Sequence, residues 1–239
     1  MRWAVIQFEN RIMREDTICL IQQNVKYAVK HQYAYALASQ CFSHLPPWWI
    51  KVFLIEEILR TQNIQGVLWL DSDACIYDHS VKLESLLEGN KSFYMSPDNR
   101  VWQAPFNAGV FMVRNDDRGR EIMSYWKSLF QPENWSQDPQ TRVWQSTGTW
   151  AGETYEQGAF GSKVLPRYRD SIKTFKWSFF QSVYSDVDTV DDPIFTLHFA
   201  AQRPCKIQYV NKLLAPVLDL QPTPQPNWFQ RLWGNCVPV

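Results

Sequence analysis

A short, wholly apolar run, Val67-Leu68-Trp69-Leu70, leads straight into Asp71-Ser72-Asp73. Such a run, rich in large side chains, suits a strand buried on both faces of a parallel sheet. The two carboxylates then fall at the strand's carboxyl end, where open α/β sheets keep their ligand crevices. Two like charges held side by side there are costly without a compensating cation. The simplest compensation is a hard divalent ion, Mg²⁺ or Mn²⁺, which takes oxygen ligands and often shares them with a diphosphate. Asp73 is the candidate direct ligand, with Asp71 sharing the metal or reaching a nucleotide ribose.

The chain before this run alternates between two periods. Residues 4–8 read as a strand. Residues 15–31 carry Ile18, Ile21, Val25, Ala28 and Val29 at helical spacing. Residues 33–37 suit a second strand, and Pro46-Pro47 precede a helical pattern over 48–59. This alternation predicts parallel strands with crossover helices. Farther on, 92–95 and 108–113 read as strands and 118–130 as a helix. Residues 131–150, rich in Pro, Trp, Asn and Gln, read as a long loop with helical pieces, a length uncommon unless functional. Residues 196–199 suggest the end of a late strand. The expected organisation is one α/β domain over 1–215 and a Pro-rich tail over 216–239, packed on the domain or extending from it.

Lys plus Arg and Asp plus Glu both number 24, so the net charge is zero and no global field favours nucleic acid or an anionic membrane. The five cysteines are odd in number and scattered without a CxxC pair. That argues against a disulfide framework or zinc knuckle and fits a reducing compartment. The N-terminal stretch lacks the apolar core of a signal peptide, and no window approaches the length of a membrane span. The expectation is a soluble, cytoplasmic protein. Twelve tryptophans are many for 239 residues; most should fill the core, and a few can form flat platforms for sugar rings.

Three further stretches carry chemistry-bearing residues. His198 follows an apolar run and reads either as a core histidine or as a ligand for Mn²⁺; Arg203 and Lys206 behind it suit a diphosphate. The remaining histidines, His31, His44 and His79, read as surface residues. Asn107-Ala108-Gly109 stand at a strand entrance, as a turn before a core strand or as a ligand loop. Glu156-Gln157 stand at a helix start, where an acidic residue also complements the helix dipole.

In their order, WLDSDA (69–74), FNAGVFMVRN (106–115), YEQGAF (155–160) and LHFAAQRPC (197–205) resemble the metal-dependent GT-A glycosyltransferases. Within these the chain is most similar to the galactosyl/xylosyltransferase family of fungal mannan galactosyltransferases and plant xyloglucan xylosyltransferases. Asn24-Val25-Lys26-Tyr27-Ala28 with His31, Tyr33 and Tyr35, and Trp49 with Lys51, extend the resemblance, which spans about residues 5–205. It implies a GT-A (Rossmann-like) fold: a mixed, mainly parallel sheet flanked by helices in a single domain. It also implies transfer of a sugar, with retention, from a nucleotide diphosphate donor (UDP by default) to a glycan hydroxyl. Asp71, Asp73 and His198 would hold Mn²⁺ or Mg²⁺. Phe8, Lys51, Asp71, Asn107, Ala108, Gly109, Ala201, Arg203 and Lys206 would contact the donor, with Glu156 and Gln157 beside the anomeric carbon. Were the reaction inverting, Glu156 or Asp98 would be the candidate base. Ala201 stands where the family has Gly, Tyr155 replaces an acid, Arg203 replaces a lysine, and the eukaryotic members' membrane anchor is not expected here. Compact bacterial and algal-virus GT-A domains are similar in that last respect.

Two rival readings share the same residues. In a haloacid dehalogenase-type phosphatase, Asp71 would be the nucleophile and Asp73 the acid, with Asp186, Asp188, Asp191 and Asp192 as metal ligands. That motif normally opens the first strand, however, whereas here α/β structure precedes it. A non-enzymatic carbohydrate-binding protein would use tryptophan platforms and a structural cation.

Overall fold

The computed structural model describes residues 2–11, 15–98, 104–183, 187, 190–200 and 203–214. In chain order the strands are β1 (Trp3–Phe8), β2 (Ala34–Ala38), β3 (Gly66–Leu70), β4 (Ala74–Ile76), β5 (Phe93–Met95), β6 (Val110–Arg114), β7 (Trp135–Gln137), β8 (Trp144–Ser146), β9 (Ile172–Thr174) and β10 (Thr196–His198). The helices are α1 (Glu15–Lys30), α2 (Pro47–Thr61), α3 (Asp117–Ser128), α4 (Glu156–Ala159), α5 (Leu165–Arg167), α6 (Trp177–Phe180) and α7 (Arg203–Leu214), with a π-helical turn, Phe160–Val164, between α4 and α5.

The main sheet has the order β2-β1-β3-β6-β5-β9. The expected β-α-β-α-β start is present: β1 pairs in parallel with both β2 and β3. The strand that carries the carboxylates is not flanked by parallel neighbours on both sides, because β6 pairs with it antiparallel, Leu70 opposite Val110. It is still fully buried. Successive side chains of a strand point to opposite faces. Ala4, Ile6, Val67 and Trp69 therefore enter the core layer under α2 and α3, while Trp3, Val5, Leu68 and Leu70 enter the layer containing Tyr27 and Ala28 of α1. Gly66 lets three elements meet at the start of β3: a Cβ there would lie 2.4 Å from the Val113 carbonyl oxygen and 2.5 Å from the Trp3 ring.

Three expectations change. On α1, Ile18 and Val29 are exposed while Gln23 and Asn24 are buried, so part of the helix's inner face is polar. Residues 131–150 are not a plain loop, since β7 and β8 form a small antiparallel hairpin within them. His31 and His79 are partly buried, both packing against the Tyr27 ring, with His31 Nε2 2.9 Å from the His79 carbonyl oxygen.

A separate two-stranded ladder matters most for the site. β10 pairs antiparallel with β4, bringing His198 opposite Ala74, and the Phe199 N–H donates to the Asp73 carbonyl at 3.0 Å. Cys19, Cys41 and Cys75 are buried and take part in no disulfide. Among the described residues no helix is long and apolar enough to cross a membrane. The residues assigned to the tail lie outside the described residues.

Candidate active site

The turn after β3 is pinned from below by a buried polar network. Gln7 Nε2 donates to the Asp71 carbonyl (3.2 Å), and Gln7 Oε1 accepts from Asn24 Nδ2 (3.1 Å) and Tyr35 OH (2.9 Å). Asn24 also donates to the Ala74 carbonyl (3.0 Å) and accepts from the Ile76 N–H (2.8 Å). This explains the polar inner face of α1: a satisfied network in a low-dielectric interior fixes a loop more sharply than apolar packing does. Above the turn, Ser72 Oγ donates to Glu9 (2.6 Å), and Glu9 holds the Arg11 guanidinium at 2.6 and 2.8 Å. Burial works to raise the Glu9 pKa, but the hydrogen bonds from Arg11 and Ser72 outweigh it and hold the carboxyl below its usual range.

Asp71, Asp73 and His198 converge, each offering one ligand atom, with all of these atoms within 4.8 Å of one another. Asp73 Oδ1 lies 3.4 Å from His198 Nε2. Burial acts to raise the Asp73 pKa, yet the adjacent imidazole prevails and holds it at about 2. Burial likewise lowers that of His198, and Asp73 more than reverses it, so the net direction is upward.

The His198 tautomer follows from a residue that sequence reasoning missed. Gln181 Nε2 donates to the Asn107 and Val110 carbonyls, both at 3.3 Å, so Gln181 Oε1 is the acceptor facing His198 Nδ1 at 2.7 Å. Nδ1 therefore carries the proton in the neutral ring and Nε2 presents its lone pair to the carboxylates, the form a metal ligand needs. Two carboxylates and one such imidazole fit Mn²⁺ or Mg²⁺. The ring packs against Gly109, where a Cβ would come 2.1 Å from Cε1. Replacing Gln181 by Leu is expected to weaken Mn²⁺ binding by about 10- to 100-fold, read by calorimetry, with the melting temperature as the folding control. An unchanged titration would show that the ring orientation is set elsewhere.

Lys51 is the hub beside the Asp71–Asp73–His198 cluster. Its buried ammonium reaches Asp71 Oδ1 (2.9 Å), the Ala108 carbonyl (3.0 Å) and Glu156 Oε1 (3.4 Å). Its three N–H donors thus have three protein acceptors. Burial acts to lower its pKa, but the two carboxylates turn the shift upward. Burial raises that of Glu156, Lys51 opposes this, and Asp71 adds to the rise. Trp69 Nε1 donates to Asp71 Oδ1 at 2.7 Å.

The strand-entrance loop organises the other wall. Asn107 Oδ1 accepts from the Gly109 N–H (2.8 Å), and its Nδ2 donates to Asp98 Oδ1 (2.9 Å). Ala108 is buried and acts through its backbone, donating its N–H to Gln157 Oε1 at 3.0 Å. Phe8, Lys51, Asp71, Asp73, Asp98, Asn107, Gly109, Glu156, Gln157 and His198 all line one cavity of about 1120 Å³. Lys206 is held by Asp16 of α1 at 2.8 Å, and its charge still reaches Asp73. Ala201 and the Arg203 side chain lie outside the described residues.

The cavity lining also includes Arg11 and Ser39, which no motif signalled. Ser39 Oγ is buried without a hydrogen-bond partner among the described residues, an open group one residue past β2. Of the acidic cluster in the phosphatase reading, Asp192 is bound by Lys176 (2.6 Å) and Ser178 (3.0 Å) and does not line the cavity that holds Asp71. Asp186 and Asp188 lie outside the described residues.

No family model matches the chain. Over 126 residues, 50% of this chain, it is 29% identical to galactomannan galactosyltransferase 1 of Cyamopsis tetragonoloba, and it spans only 26% of that protein's length. A glycosyltransferase involved in the glycosylation of the major capsid of PBCV-1 superposes with a TM-score of 0.65 at 15% identity, over 88% of this chain and 100% of that one. The galactosyltransferase LgtC, solved with donor and acceptor sugar analogs, gives a TM-score of 0.53 at 11% identity, over 98% and 100% of the two chains. Sheet order, helix placement and these superpositions agree, and the chain has the GT-A fold of the glycosyltransferases.

Proposed function

We propose that this protein transfers a sugar from a nucleotide diphosphate donor, by preference a UDP-sugar, to a hydroxyl of a glycan acceptor, with a divalent cation and with retention of anomeric configuration. The observation that carries this reading is the convergence of Asp71, Asp73 and His198 in the same cavity as Gln157 and Asn107.

The chemical demand is to stabilise a diphosphate leaving group. A cation held by Asp71, Asp73 and His198 would supply positive charge there. Arg11, anchored by Glu9 while its side chain remains 75% exposed, offers guanidinium donors to the same phosphates. Lys51 orients Asp71 and ties it to Glu156. Gln157, whose carbonyl oxygen is held by Ala108, faces the reacting centre with a fixed amide. Glu156, buried behind Lys51, positions that wall rather than touching solvent. With retention, the acceptor oxygen attacks C1 on the face that the diphosphate leaves. The C1–O bond to phosphate breaks, the new glycosidic bond forms, and the acceptor proton passes to the departing phosphate oxygen.

The test is a panel of UDP-galactose, UDP-glucose, UDP-xylose and GDP-mannose, scored for donor binding and slow hydrolysis with Mn²⁺ and with EDTA. Turnover of one UDP-sugar that requires Mn²⁺ is expected. Equal turnover in EDTA would remove the metal from the reading. Release of inorganic phosphate from simple esters, with no nucleotide sugar bound, would return the phosphatase alternative.

A further inference from the structure

Val143 and Trp150 are the most exposed of the large apolar side chains described, at 57% and 68%, and both line the cavity that holds the Asp–Asp–His cluster. Large apolar groups left in water inside a cleft mark a place where something binds. The Trp150 indole is braced, not loose. Trp48 meets it at 5.6 Å with planes at 74°, and Tyr155 at 5.0 Å with planes at 65°. Trp48 and Tyr155 pack in turn on Trp135 of the hairpin, at 5.5 and 4.9 Å.

A second observation is independent of exposure. Ala151, the next residue, has φ of 56°, a left-handed conformation that a non-glycine residue adopts at a cost. Strain of this kind persists where the surroundings hold it, and it gathers at ligand sites. Here it sets the angle at which Trp150 leaves the backbone. Tyr155, whose ring supports that indole, directly precedes Glu156 and Gln157, so the platform and the transfer residues share one short segment.

We infer that Trp150 is a stacking platform for a hexose ring of the acceptor glycan, with Val143 extending its apolar surface. The occupant that fits is a neutral hexose chain, whose pyranose C–H faces can lie on an indole while its hydroxyls stay in water. This rests on the proposed transferase reading and deepens it by naming the acceptor side of the cleft.

The test titrates wild type, Trp150→Ala and Trp150→Phe with β-1,4-mannotetraose and cellotetraose, and separately with UDP plus Mn²⁺, by calorimetry and intrinsic fluorescence. Wild type is expected to bind at least one tetrasaccharide, Trp150→Ala to bind it at least about tenfold more weakly, and Trp150→Phe to stay within about threefold. UDP affinity is expected to stay constant across the three proteins. Binding of neither sugar by wild type overturns the inference, as does equal sugar binding by Trp150→Ala. A loss of UDP affinity in Trp150→Ala with sugar binding intact overturns it in favour of a nucleobase stack. Should UDP fail to bind wild type while the sugar results hold, the donor reading falls and the platform stands.

Discussion

Replacing Asp73 by Asn is expected to reduce Mn²⁺-dependent turnover by on the order of 10³-fold, because one ligand charge is lost where leaving-group charge must be stabilised. Size and shape are kept, and Asp73 lies at the cleft surface with its side chain 36% exposed, so the melting temperature of the metal-free protein should barely move. The substitution also strips His198 of the carboxylate that raises its pKa, so its imidazole should titrate at lower pH in the variant, which NMR can follow. In the wild type, a cation held by this cluster would compete with the proton for His198 Nε2. Apparent metal affinity should therefore fall as pH drops through the raised pKa, and calorimetric titrations between pH 5 and 8 would read it. Full activity of Asp73→Asn would sink the metal assignment.

Replacing Lys51 by Met should cost stability as well as activity. Lys51 and Glu156 are both buried, at 5% and 3% exposure, and removing one partner of such a pair leaves the other uncompensated. A loss of about 3 kcal/mol is expected at neutral to alkaline pH. The pH dependence has a definite sign. Without the cation, burial and the nearby Asp71 raise the Glu156 pKa above its unfolded value. The unfolded state then releases a proton that the folded state retains or must give up at a cost, so the loss grows as pH rises and shrinks at acid pH as Glu156 becomes neutral. Denaturant melts at pH 5 and pH 8 would show the difference. The double variant Lys51→Met, Glu156→Gln should recover much of the stability while staying inactive. A loss independent of pH, or no recovery, would mean that Lys51 acts through packing and not through its charge.

The local elements were legible because each rests on nearby residues. The strand of residues 67–70 announces itself by an unbroken apolar run, and α2 by the Pro46-Pro47 break before its pattern. Where reading failed, a long-range demand had overridden a local pattern. The inner face of α1 carries Asn24 because the Asp71–Ala74 turn needs its amide, and helical periodicity counts only apolar residues. The β7–β8 hairpin escaped notice because its strands are three residues each, shorter than any alternation pattern can resolve.

The site divides in the same way. Asp71 and Asp73 are legible because the strand that aims them is adjacent in sequence, and the four ordered motifs carried the resemblance that named His198, Asn107 and Gln157. Gln181 and Arg11 left no signal, since a glutamine before a serine, or an arginine past a strand, looks like any other until the chain folds back. By itself the sequence determined which residues could bear charge and metal-binding chemistry, because side-chain identity and short-range pattern are local properties. Only the tertiary structure decided that His198 reaches Asp73 through the β10–β4 ladder, that Gln181 sets its tautomer, and that Lys51 answers to two carboxylates at once. Those contacts join segments distant in the chain, and their geometry comes from sheet pairing that no single stretch encodes.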